Sequence, residues 1–144
     1  MLAQLITNEL PKSKDVIDDI KADKIIDCVG VFTKSDKEYA SLNAELKDNK
    51  LIDEMPSGNL YYLNTPIQTE YGDLFFVKIR KPDNNFNDYR IYVDFVVDDY
   101  EQFRNTLDNP TIKTFDKFEL IEFKNNESIV NVVSLSAKDD YELN

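Results

Sequence analysis

The chain has 144 residues, 42% of them hydrophobic, with nine Phe, eight Tyr and a formal charge of −11 at pH 7. That length and apolar content suit one domain with a substantial core, and three Gly and five Pro exclude a collagen-like or linker-dominated chain. The negative balance excludes a binder of the phosphate backbone, which needs clustered Lys and Arg, and the lack of any His excludes Ser-His and Cys-His catalytic pairs.

Residues 1 to 22 read as a helical arm. Leu2, Leu5, Ile6 and Leu10 form one apolar stripe, Pro11 interrupts it, and Ser13 caps a second set of turns carrying Val16, Ile17 and Ile20. Asp15, Asp18 and Asp19 argue against a membrane-surface helix, because anionic lipid repels them. The arm is therefore expected to pack on the domain or on a second subunit.

Ile25 to Thr33 has the alternation of a strand, and Ser35 to Lys47 reads as a helix opened by the capping box Ser35-x-x-Glu38. Tyr39, Leu42 and Leu46 give that helix its apolar face. Lys50 to Glu54 is a short strand candidate, Pro56-Ser57-Gly58 a turn, and Asn59 to Asn64 a β-prone run. Thr65 to Gly72 reads as a loop. Asp73 to Lys81 alternates again, with Phe75, Val77 and Ile79 on one face and Leu74, Phe76, Lys78 and Arg80 on the other. The polar, turn-rich segment KPDNNFND, Lys81 to Asp88, then divides the chain.

The same grammar returns 64 positions on. Val93 and Phe95 match Val29 and Val31, Asp99-x-x-Gln102 matches Ser35-x-x-Glu38, and Phe103 matches Tyr39. Asn109-Pro110 ends the second helix, expected to reach Leu107. Strand candidates follow at Ile112 to Phe118, Glu119 to Lys124 and Ser128 to Ser136, the last two joined by the turn Asn125-Asn126. The acidic tail, Ala137 to Asn144, is expected to fray. The fold class this implies is α+β: a single domain over 1–144, with the arm (1–22), a first βαβββ module (24–83) and a second (89–137) forming a curved mixed sheet. The lone Cys28 fits a reducing compartment. No apolar run is long enough to span a bilayer, and MLAQLITNEL lacks the basic start of a signal peptide. A cytoplasmic location is expected.

Asp27-Cys28-Val29-Gly30-Val31 before one capped helix, and Tyr92-Val93-Asp94-Phe95-Val96-Val97-Asp98-Asp99 before the other, carry a further signal. In two tandem βαβββ units they resemble the vicinal-oxygen-chelate superfamily, which includes glyoxalases, bleomycin-resistance proteins and extradiol dioxygenases. The resemblance covers about residues 24 to 137. It implies a curved sheet around a small-molecule cavity. Metal-dependent members place a His on the first strand of each module, where Cys28 and Tyr92 stand here. They place carboxylate ligands on the last strand, where the nearest matches are Phe76 and Asn131. Without His the resemblance carries no metal site, so neither metal nor cofactor is expected.

The candidate ligand-binding residues are Cys28, Phe76, Lys78, Arg80, Tyr92 and Asp94. On a sheet of the resembling kind, Lys78 and Arg80 share a face with Phe76, and Tyr92 and Asp94 approach from the other module. Two cations, a phenol and a carboxylate beside aromatic rings suit a small anionic or polar ligand. The competing reading makes Lys78 or Arg80 an ordinary ion-pair partner of Asp94 and Cys28 a small buried hydrophobe. The expected function is metal-free binding or sequestration of a small molecule, with catalysis left open. The alternatives are an acidic interaction module or inhibitor, meeting a basic protein or a second copy of the chain, and a metal-independent enzyme using Tyr92, Asp94 or Cys28. Nucleic acid and membrane are not expected partners.

Overall fold

The computed structural model describes residues 1–143. Helix α1 (Leu2–Glu9), a 3-10 turn (Leu10–Ser13) and α2 (Lys14–Asp18) form the arm. The first module runs β1 (Lys24–Phe32), α3 (Asp36–Glu45), β2 (Lys50–Met55), β3 (Gly58–Thr69) and β4 (Gly72–Arg80). A second 3-10 turn (Asn84–Phe86) lies in the linker. The second module runs β5 (Ile91–Val97), α4 (Tyr100–Asn105), β6 (Thr111–Thr114), β7 (Glu119–Lys124) and β8 (Ile129–Val133), and α5 (Ala137–Asp140) follows it. All eight strands join one mixed sheet in the order β2-β3-β4-β1-β5-β8-β7-β6. The architecture is α+β, two tandem βαβββ modules in a curved sheet behind an N-terminal helical arm.

The duplication sits at the centre of that sheet. β1 and β5 pair antiparallel with Val29 opposite Val93, residues related by the 64-position offset, so a local two-fold axis passes between them. Within each module the first strand runs parallel to the last, Val29 beside Val77 in one and Val93 beside Val130 in the other. Both helix starts are capped as the sequence demands. Ser35 Oγ accepts from the Glu38 amide at 3.0 Å, and Asp99 Oδ1 accepts from the Gln102 amide at 3.0 Å.

One sheet face carries α1 to α4 and holds the main core. Val29, Val31, Val77, Ile79, Val93 and Phe95 from the central strands are fully buried there, with Ile6 and Ile17 of the arm and Leu42 of α3. The arm thus packs on this chain, and its first amide donates to Glu45 Oε2 at 2.9 Å. Phe103 is buried beneath α4, whereas Tyr39 is only half-buried and Leu42 takes the sealed position under α3.

Among the expectations that fail, four have a clear local reason. Thr65 to Thr69 is strand, not loop, because β3 resumes its pairing with β4 after a register shift between Tyr62 and Ile67. That shift also breaks the alternation of β4: Leu74 joins the helix-side core while Phe75 and Phe76 both pack on the other side. β6 stops at Thr114, where the Phe115 amide donates to the Phe118 carbonyl at 2.8 Å and turns the chain. The C-terminal tail is not frayed. Ser136 caps α5 through the Asp139 amide, and Ala137, Tyr141 and Leu143 pack on Cys28, Leu60 and Phe76 of the first module.

Candidate functional site

The sheet face opposite α1 to α4 holds a cavity of about 300 Å³. Its floor is a grid of strand pairs. One row across the sheet reads Cys28, Asp94, Asn131 and Glu122, continued beyond the cavity by Phe76; the next reads Lys78, Gly30, Tyr92 and Ile129. Arg80 and Phe32 begin a third. The walls are the linker turn at Phe86, the Phe115 and Phe118 turn, and α5 with Tyr141. A bulge between Ile26 and Cys28 turns Asp27 toward the cavity as well. Gly30 matters for shape: a Cβ there would overlap the Tyr92 ring, which lies across the glycine.

The polar groups of the floor are unevenly satisfied. Asn131 Nδ2 donates to Asp94 Oδ1 at 2.9 Å, but Asn131 is only 6% exposed and its Oδ1 has no partner among the described residues. Lys78 Nζ donates to Ser57 Oγ at 2.7 Å and reaches Met55 Sδ at 3.7 Å, both neutral atoms. The Arg80 guanidinium lies 5.1 Å from the Phe32 ring centre and 4.9 Å from that of Phe86, a cation–π sandwich. Among the described residues its nearest carboxylate, Asp83, is 3.9 Å away, and its buried Nε has no partner.

Burial sets the titration of this face. It pushes the Asp94 carboxyl up to about 7, with Asp27 adding to the rise and the Asn131 hydrogen bond and Lys78 opposing it. Burial also raises Asp27 to about 6, against the hydrogen bond that its Oδ2 accepts from the Ala137 amide at 3.0 Å. The Cys28 thiol and the Tyr92 phenol are both pushed well up, chiefly by burial, and the Lys78 ammonium is pulled down by it. At neutral pH the thiol and phenol are protonated, and Asp94 is divided between its two forms.

Five of the six candidate residues, Cys28, Lys78, Arg80, Tyr92 and Asp94, line the cavity. Phe76 does not: the bulged register packs it with Cys28 and Leu60 and turns it edge-on to Tyr62, at 5.1 Å between ring centres. The register also corrects the equivalence between the modules. Lys78, not Phe76, occupies the position that Asn131 occupies in the second, since Lys78 sits beside Gly30 and Asn131 beside Asp94. Neither Lys78 nor Arg80 forms an ion pair with Asp94.

The four positions where the resembling superfamily carries metal ligands hold Cys28, Tyr92, Lys78 and Asn131. A protonated buried thiol, a protonated phenol, an ammonium and an amide do not fit a divalent cation. Among the described residues no three His, Cys, Asp or Glu side chains cluster as a metal site. Sequence reasoning missed Asp27 and Tyr141. It named Asn131 only as a place in the superfamily pattern, although that residue is the sole polar interruption of the run Ile129 to Val133.

No family model matches the chain, and no curated protein matches it. A solved structure from structural genomics, Protein EC4020, is similar with a TM-score of 0.68 at 12% identity, over 96% of this chain and 91% of that one. The likeness extends to the fold alone.

Proposed function

We propose that this chain is a metal-free small-molecule-binding or sequestering protein of the vicinal-oxygen-chelate type, working in the cytoplasm through the helix-free face of its sheet. The observation that carries the reading is the cavity of about 300 Å³ with an unpartnered, buried Asn131 carbonyl on its floor. A buried acceptor without a donor is costly, typically about 1–3 kcal/mol, and a ligand donor removes that cost. The lining fits the usual recipe of an apolar pocket with a few convergent polar groups. An open cavity of this kind counts against the acidic-surface reading, which a filled face would favour. No helix among the described residues is long and apolar enough to cross a membrane.

The test is a fragment screen followed through backbone amide resonances. Hits should shift amides of β1, β4, β5 and β8 around Cys28, Lys78, Tyr92 and Asn131, and Val133→Trp, which fills the cavity, should abolish the shifts. Hits that map to the helix-covered face, or that survive Val133→Trp, refute the reading.

One observation favours a second reading, a metal-independent enzyme. A carboxyl held at about 7 inside a pocket is matched to general acid–base work near neutrality. Under it Asp94 takes a proton from a bound carbon or heteroatom acid, and Asn131 holds the carboxylate in place. Turnover that vanishes in Asp94→Asn, with ligand affinity retained, would establish it.

A further inference from the structure

The two ends of the cavity floor differ in sign and in what they lack. Lys78 and Arg80 stand two residues apart on the same face of β4, both partly buried, and among the described residues no carboxylate oxygen lies closer than 3.9 Å to either. Buried like charges of this kind are unfavourable until an anion joins them. At the other end Asn131 donates one Nδ2 proton to Asp94 Oδ1, and its own buried Oδ1, an acceptor, has no partner among the described residues.

We infer that the cavity takes a small organic monoanion with an N–H or O–H donor at its far end. The carboxylate meets Lys78 and Arg80, and the donor meets Asn131 and Asp94. The inference rests on the binding reading above and names its ligand class. Lys78 and Asp94 lie two strands and two residues apart on the grid, which sets their Cα atoms roughly 12 Å from each other. After the side chains reach inward, a body the length of a single ring with a short tail spans the gap. The space between is apolar: Tyr92 lies flat over Gly30, with Ile129, Leu120 and Phe32 beside it. A dianion is disfavoured because Asp27 and Asp94 share the floor.

Four probes of one size separate the features, using the whole protein, calorimetry and amide shifts at mildly alkaline pH. They are p-hydroxyphenylpropanoate, its methyl ether p-methoxyphenylpropanoate, tyramine and p-propylphenol. The hydroxy acid should bind about tenfold or more tighter than each of the others. Arg80→Gln should bring it down to the level of p-propylphenol without moving p-propylphenol itself, and Asn131→Val should erase its advantage over the methyl ether. If tyramine or the methyl ether binds as well as the hydroxy acid while concave-face amides still shift, the ligand class is wrong and the binding reading stands. If none of the four shifts those amides at millimolar concentration, the ligand class falls, and the fragment screen decides the binding reading separately. The wild-type series decides the matter even where a variant fails to fold.

Discussion

Asp94→Asn should stabilise the protein at alkaline pH and leave it unchanged in acid. Burial lifts the Asp94 carboxyl from 3.8 to about 7. A carboxyl raised in this way holds its proton more tightly in the folded state than in the unfolded one. Below pH 3.8 it is protonated in both states and contributes nothing. Between 3.8 and about 7 only the unfolded chain gives up the proton, so stability falls as pH rises; above about 7 the full penalty persists. At about 1.4 kcal/mol per pH unit the interval gives a ceiling of about 4 kcal/mol, and contact with cavity water reduces this to about 2 kcal/mol. Asn keeps the shape of Asp and still accepts from Asn131, so the comparison isolates the charge. Urea titrations of both proteins at about pH 3.5 and about pH 8.5 read the difference directly. An advantage for Asp94→Asn that is equal at the two pH values, or below about 0.5 kcal/mol at the higher one, refutes the account of a charge buried at its own cost.

Gly30→Ala should cost about 1–3 kcal/mol, because the new methyl displaces the Tyr92 ring, and amide shifts should show the cavity floor rearranged. Phe103→Ala should lose about 3–5 kcal/mol in reversible denaturation, and Tyr39→Ala less than half of that, since Tyr39 is half-buried. Tyr141→Phe removes the 2.9 Å hydrogen bond to Asp53 Oδ2, so amides of 137–143 should exchange faster while global stability changes by about 1 kcal/mol or less. Thermal unfolding should be the same with chelator and with added zinc, nickel or manganese, because only a ion that prefers the native state raises Tm.

The repeat made most of the fold legible. Caps at Ser35 and Asp99 and the paired faces of Val29 and Val93 are short-range signals, and short-range physics writes them into sequence. Bulges are not written that way. The extra residue at Asp27 and the slip in β3 past Tyr62 depend on how neighbouring strands pair, and one such slip moves a side chain to the opposite face. Hence Leu74 and Phe75 were each expected on the wrong face, and Asp27 was overlooked. The tail misled for a related reason. Its acids promise solvation, but Tyr141 and Leu143 find their apolar partners on a module that begins more than 100 positions earlier, a contact that no local pattern announces.

The seam between β1 and β5 has a consequence for symmetry. Two identical copies of one module, joined edge to edge through this antiparallel pairing about a two-fold axis, would form an isologous contact. Such a homodimer repeats every floor residue on both sides: a lysine at the position of Lys78 forces a lysine at the position of Asn131. Joining the copies in one chain lifts that constraint, since each half then mutates alone. Here the lifted constraint is visible pair by pair, Cys28 against Tyr92, Gly30 against Asp94, Lys78 against Asn131. The floor of a symmetric dimer has two equivalent ends; in this fused, diverged chain the two ends differ.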